Sequence, residues 1–109
     1  MFRHKLYLSA VVMALSVGGP AIAQTTDSSK AYMGVHEKMM KDMMMSPSGD
    51  ADKDFAMMMV PHHQGAIDMA EIELKYGKDP DLKKMAEKII HAQKEEIADF
   101  KKWLAKHAM

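Results

Sequence analysis

The chain has 109 residues, no cysteine, and 15 acidic against 15 basic residues, which gives a formal net charge of zero. This length argues for one domain, and a neutral chain lacks the concentrated basic surface that binds nucleic acid. Without cysteine, disulfide bridges and thiolate metal ligands are both excluded.

Residues 1–23 have the pattern of a secretory signal peptide. Arg3 and Lys5 form a basic head, residues 6–17 are mainly apolar, and the segment ends in the small-x-small sequence Ala-Ile-Ala. The apolar run is shorter than the about 20 residues that span a bilayer. We therefore expect cleavage after Ala23, and a periplasmic or secreted domain of residues 24–109 that does not contact the membrane. The alternative is an uncleaved membrane anchor.

A first helix is predicted from Ser28 or Ser29, either of which can act as its N-cap, to about Met45. Projection at about 100° per residue puts most methionines of this segment on one face. That face consists of Met33, His36, Met39, Met40, Met43 and Met44. Charged residues such as Lys38 and Asp42 fall on the opposite face, which we expect to contact water.

A second helix is predicted from about Asp52 to Tyr76. Residues 46–50, Ser-Pro-Ser-Gly-Asp, are rich in turn formers and separate it from the first helix. Gly77 is well placed to end it. Its predicted inward stripe is Phe55, Met58, Met59, His62, Ala66 and Met69, with His63 on the flank.

Pro61 falls inside this second helix. Proline removes one helical hydrogen bond and usually kinks the helix. The alternative is that Pro61 begins a separate helix. We favour a kink, because the inward stripe passes Pro61 without losing its phase.

A third helix is predicted from Pro80 to about Lys106, with Asp79 as its N-cap. Its inward stripe is Leu82, Ala86, Ile89, Ile90, Ile97, Phe100 and Leu104, with Gln93 at the centre and Glu96 at the edge. The chain shows no alternating pattern typical of strands. We therefore predict an all-α fold, a short antiparallel bundle of about three helices.

Methionine is used far more than a hydrophobic core requires. The chain has 14, nine of them between Met33 and Met59, and no leucine or isoleucine occurs from Gln24 to Ala66. Core packing explains any single methionine at helical spacing, since methionine fills gaps in cores. It does not explain why leucine and isoleucine are missing from one half of the chain and present in the other.

Thioether sulfur and imidazole nitrogen are the ligands that the soft ions copper(I) and silver(I) prefer. Side chains three or four residues apart on a helix project side by side, and several methionine and histidine residues have this spacing. The candidate ligands from spacing are Met58, Met59, His62 and His63 in the second helix and His36, Met39, Met40 and Met43 in the first. A core histidine remains the alternative for His62.

Gln93 and Glu96 are candidate outer-shell groups. A buried glutamine or glutamate needs a hydrogen-bond partner, and either could bond the second ring nitrogen of His62 or His63 and fix its tautomer. The alternative is a bond to the backbone or to Trp103.

Residues 57–70, MMMVPHHQGAIDMA, resemble the "domain of unknown function 305" group of ferritin-like proteins, and residues 89–97 and 103–104 resemble its second signature. The resemblance covers about residues 50–107. It implies a helical bundle, a periplasmic location and binding of copper or silver. By matching position it points to His62, His63 and Met69 with Met58 or Met59. The chain departs from the family at Phe100, where members often carry methionine.

The predicted function is binding of copper(I), or silver(I), in the periplasm, where the protein buffers the ion or hands it to another copper protein in homeostasis or resistance. On this interpretation the protein is not an enzyme. Two alternatives remain: a copper or iron oxidase, and a metal-free interaction module whose methionines grip varied partners. A fourth helix from a second subunit would make the protein a homodimer.

Overall fold

A computed structural model describes residue 18 and residues 26–108 of the chain. Within them lie three helices and no strand: α1 (Asp27–Met43), α2 (Ala51–Tyr76) and α3 (Pro80–Lys106). The predicted all-α fold of three helices is confirmed. The predicted signal peptide lies outside the described residues except for Gly18. Among the described helices, none is long and apolar enough to cross a membrane.

The start of α1 was predicted two to three residues too late. Thr26, and not Ser28 or Ser29, is the N-cap, and its hydroxyl accepts a hydrogen bond from the Ser29 amide at 3.2 Å. Threonine in extended backbone caps a helix by the same chemistry as serine. The helix therefore gains two to three residues at this end, and it stops at Met43 instead of Met45.

The entry to α2 is fixed by two aspartates. Asp50 caps the helix, accepting hydrogen bonds from the amides of Asp52 and Lys53 at 3.0 and 3.2 Å. The Asp54 carboxylate reaches back to the linker, where the amide and the hydroxyl of Ser48 each donate to it at 2.8 Å. These hydrogen bonds hold the pKa of Asp54 below its usual range. The linker is thus tied to the first turn of α2.

The predicted turn between α2 and α3 is confirmed. Gly77 ends α2, Asp79 caps α3 through the amides of Asp81 and Leu82 at 2.9 Å, and Pro80 is the first helical residue. The backbone of Gly77 is extended, with φ −67°, so the helix ends without a left-handed residue.

Helix α2 runs without interruption through Pro61. The alternative in which Pro61 begins a separate helix is therefore wrong. The missing amide hydrogen of Pro61 leaves the Met57 carbonyl without its usual donor, and the kink itself stays a prediction.

The three helices form an open layer with α2 in the middle. Helices α1 and α3 both pack against α2, and within the described residues no Cα of α1 lies within 8 Å of a Cα of α3. Gly65 of α2 receives the Met39 side chain of α1. Buried residues that lie nearly opposite Gly65 on the α2 helix, such as Ala56 and Ile67, face α3.

This position of α2 corrects the predicted inward stripe. Phe55 is 58% exposed, Met58 is 42% exposed, and Met69 and His62 are also exposed. The buried residues of α2 lie instead on its two flanks: Ala56, His63, Gly65, Ile67, Ala70 and Ile72. Hydrophobic periodicity assumes one buried side, whereas α2 has a neighbour on each side.

Candidate metal-binding site

The predicted ligands lie mainly on one side of the layer, which we call the open face. Tyr32 of α1, Met69 of α2 and Leu82 of α3 line the same cleft of about 290 Å³. These three residues therefore mark the same side of all three helices. The exposed stripe of α2 on this side is Phe55, Met58, His62, Ala66 and Met69.

Helix α1 brings a second set of soft side chains to the open face. His36 and Met40 follow Tyr32 by four and eight residues, so they project to the same side. Both are exposed. Met39 and Met43 are half-buried between this side and α2.

The predicted methionine face of α1 is therefore only partly correct. The side chains that pack against α2 belong to the stripe Ala31, Val35, Met39 and Met43, while Met33, Met40 and Met44 are at least half exposed. The packed stripe contains alanine and valine because the contact with α2 is close. A Cβ built on Gly65 would lie 2.5 Å from the Met39 sulfur, so the glycine makes room for the thioether.

His62 and His63 separate although they are adjacent in sequence. Their ring centroids lie 5.9 Å apart. His62 points to the open face, whereas His63 is only 6% exposed and lies between α2 and α3. The predicted ligands thus form two groups: an exposed group around Met58 and His62, and an inner group of Met59 and His63.

The inner group lies in a cleft of about 720 Å³ between α2 and α3. Its walls are aromatic and its polar groups are mainly carboxylates. The lining residues are Asp52, Phe55, Ala56, Met59, His63, Glu96, Asp99, Phe100 and Trp103. Sequence reasoning did not select Asp52 and Asp99 for this site. Asp52 could have been found, because it precedes Met59 by seven residues and His63 by eleven, on the same stripe of α2.

The imidazole of His63 has one satisfied and one unsatisfied nitrogen. Its Nε2 contacts the carboxylate of Glu96, and its buried Nδ1 has no hydrogen-bond partner within the described part of the chain. A carboxylate on Nε2 favours the tautomer with the proton there, which leaves the Nδ1 lone pair free. Gln93 and Glu96 were both predicted as possible partners, and the structure gives the contact to Glu96.

Phe100 lies at the position of α3 where the resemblance leads us to expect a methionine. Its ring meets the His63 ring edge to face at 5.4 Å and the Phe55 ring at 5.7 Å. This arrangement shields one side of the imidazole with hydrocarbon. It supplies no sulfur from α3 at that point.

Met69 is not brought to the histidine pair. It follows His62 by seven residues, which is two helical turns or about 10.5 Å along the axis. It lies instead in the smaller cleft with Tyr32 and Met85.

Hard metal ligands do not converge in the described residues. No group of three or more histidine, aspartate or glutamate side chains there is placed to hold one ion. The donors near His63 are mixed: the Met59 thioether and the carboxylates of Asp52, Glu96 and Asp99 line the same cleft.

A family model described as "Domain of unknown function (DUF305)" matches residues 8–104. The search of curated proteins finds no match.

Proposed function

The chain belongs to the family described as domain of unknown function DUF305, and from this premise and the geometry of the cleft we propose that it binds copper(I) in the periplasm. The observation that carries the proposal is the buried Nδ1 of His63, which has no partner among the described residues while Glu96 holds Nε2. A buried polar atom without a partner is costly. A bound ion at Nδ1 would remove that cost.

The ligand chemistry favours a soft ion at this position. Met59 precedes His63 by one helical turn and lines the same cleft, so a thioether and an imidazole are both available to an ion there. Thioether and imidazole together suit copper(I) and silver(I) better than hard divalent ions. The aromatic walls of the cleft would limit the access of water.

The exposed group suits exchange with other proteins. Met58 and His62 on α2 and His36 and Met40 on α1 offer donors that solvent can reach. A thioether needs no proton to release its metal, so an ion can move between neighbouring sulfurs. We therefore propose that the protein buffers copper(I), or hands it to another periplasmic copper protein, and has no catalytic activity.

A titration tests this proposal. The protein is titrated with copper(I) against a competing chelator, without oxygen, and the fluorescence of Trp103 is followed, because this single tryptophan lines the cleft. We expect tight binding that Met59→Leu and His63→Gln together weaken by about 100-fold or more. His91→Gln is the matched control, since His91 lies exposed on α3.

Two further measurements on this protein distinguish copper(I) binding from the alternative functions. Turnover of copper(I) with oxygen would favour an oxidase, and an absence of copper(I) binding would favour a metal-free interaction module. Binding that the Met59 and His63 substitutions leave unchanged would refute the cleft as the site. The intact mass of the exported protein shows whether residues 1–23 are removed, as the proposed location requires.

A further inference from the structure

The open face exposes an unusual amount of apolar surface. Eight large apolar side chains, each 38–58% exposed, lie on it: Tyr32, Met40, Phe55, Met58, Met69, Leu82, Met85 and Ile89. Charged groups gather on the opposite side of the layer, where Lys38 pairs with Asp42 at 2.8 Å and Gln64 bonds Asp68 at 3.0 Å. The opposite side carries these polar pairs, whereas large apolar side chains predominate on the open face.

We propose that a second copy of this chain covers the open face, with a two-fold axis beside His62. The amount of surface agrees with this occupant. A large side chain that is half exposed offers on the order of 100 Å², so the eight together offer about 800 Å² per copy, which is what each partner of a standard interface buries. Residues 24–109 contain 15 acidic and 13 basic residues, so the long-range repulsion between two processed copies is weak.

The shape of the face agrees with a two-fold axis at this point. Phe55 and Met69 each lie seven residues from His62, which is about 10.5 Å along α2 in opposite directions. An antiparallel α2 pair centred on His62 therefore places Phe55 of each copy over Met69 of the other. Phe55 projects, at 58% exposed, and Met69 lines the cleft of about 290 Å³. Phe55 of each copy thus faces the cleft at Met69 of the other, and the same contact occurs twice, as in an isologous interface.

This dimer would also complete the exposed group of soft donors. Met58 and His62 lie next to the proposed axis, so the two copies would contribute two sulfurs and two imidazoles around one point. This consequence rests on the proposed function, whereas the dimer itself rests only on the apolar surface and its symmetry.

A crosslinking experiment on metal-free protein, as processed by the producing cell, tests the axis. The chain has no cysteine of its own, so His62→Cys introduces a single thiol. We expect this variant to form a disulfide-linked dimer under mild oxidation. Gln64→Cys is the matched control, since Gln64 is exposed on the charged side, and it should stay monomeric under the same conditions.

Light scattering and sedimentation test the face without touching the proposed ligands. We expect metal-free protein to be dimeric at about 100 µM, and Met85→Glu to weaken dimerisation by about 100-fold or more, because it buries a charge. Ala98→Glu adds the same charge on the outer side of α3 and should leave the dimer intact. Circular dichroism checks that both variants stay helical.

A monomer at this concentration would overturn the proposal, and so would a dimer that survives Met85→Glu and does not crosslink at position 62. Copper(I) titration of the Met85→Glu protein separates the two proposals. Binding at the inner cleft by a monomeric protein would leave the proposed function standing while the dimer fails.

Discussion

The carboxylate of Glu96 determines what His63 can offer to a metal. Glu96 reaches the ring from the surface, with 55% of its side chain exposed, while the imidazole is buried. Its contact with Nε2 orients the ring and fixes its tautomer. Glu96 is therefore a positioning residue on the proposed function.

Replacing Glu96 by glutamine should weaken copper(I) binding by about 10–100-fold, the usual effect of losing an outer-shell carboxylate. The amide keeps the shape and still accepts a hydrogen bond, so the fold should be unchanged. Chelator competition measures the affinity. Glu95→Gln is the control, because Glu95 contacts exposed His91 at 3.3 Å; equal effects of the two substitutions would remove Glu96 from the site.

The sign of the stability change on replacing Gly65 by alanine tests how closely α1 packs against α2. Alanine is the better helix former by about 1 kcal/mol, yet its methyl group would lie 2.5 Å from the Met39 sulfur. Overpacking costs about 1–3 kcal/mol and the helix propensity of alanine offsets about 1 kcal/mol of it, so we expect Gly65→Ala to lower the free energy of unfolding by up to about 2 kcal/mol. Gly34→Ala meets nothing within 4 Å and should raise it by about 1 kcal/mol.

Urea unfolding of both variants measures these changes. A stabilised Gly65→Ala protein would mean that the Met39 side chain moves aside without cost and that Gly65 is not needed to make room for it.

At the scale of the element, the linker before α2 carries a pH-dependent contribution. Ser48 lowers the pKa of Asp54 through two hydrogen bonds. A folded-state pKa below the unfolded one means that the stabilisation is present above about pH 4. It is lost as the pH falls through the lower folded-state value.

We therefore expect Asp54→Asn to destabilise the protein at pH 6 and to have a smaller effect at pH 3. Urea unfolding at the two pH values measures the difference. Ser48→Ala should reduce the pH dependence in the same direction, because it removes the hydroxyl donor. A penalty for Asp54→Asn that is the same at both pH values would contradict this explanation.

The elements could be predicted where a signal is local. Asp79, Pro80 and Gly77 mark the second turn through their own backbone preferences, and all three positions were correct. Thr26 was missed because several neighbouring hydroxyl side chains can cap a helix equally well. Whether α2 continues through Pro61 depends on packing from both sides, and local backbone preferences do not predict that packing.

At the scale of the whole molecule, the arrangement of the three helices in a layer could not be predicted from the sequence. Periodicity identified an apolar stripe on α2 but could not tell that its neighbours pack on the two flanks. For this reason the predicted ligands appeared as one cluster, whereas the structure separates exposed His62 from buried His63. Composition alone predicts that soft donors are abundant. Their separation into an exposed and an inner group depends on the position of α3 and could not be predicted.

The layer has a thin interior. Its buried apolar residues are three alanines and three isoleucines, Ala56, Ile67, Ala70, Ile72, Ala86 and Ile97. So small a core leaves little stability in the isolated chain. Whatever binds only the folded form then adds to that stability by mass action. On the two proposals made above, the melting temperature is not a fixed property of this protein: it rises with the supply of metal and with the concentration of the chain itself.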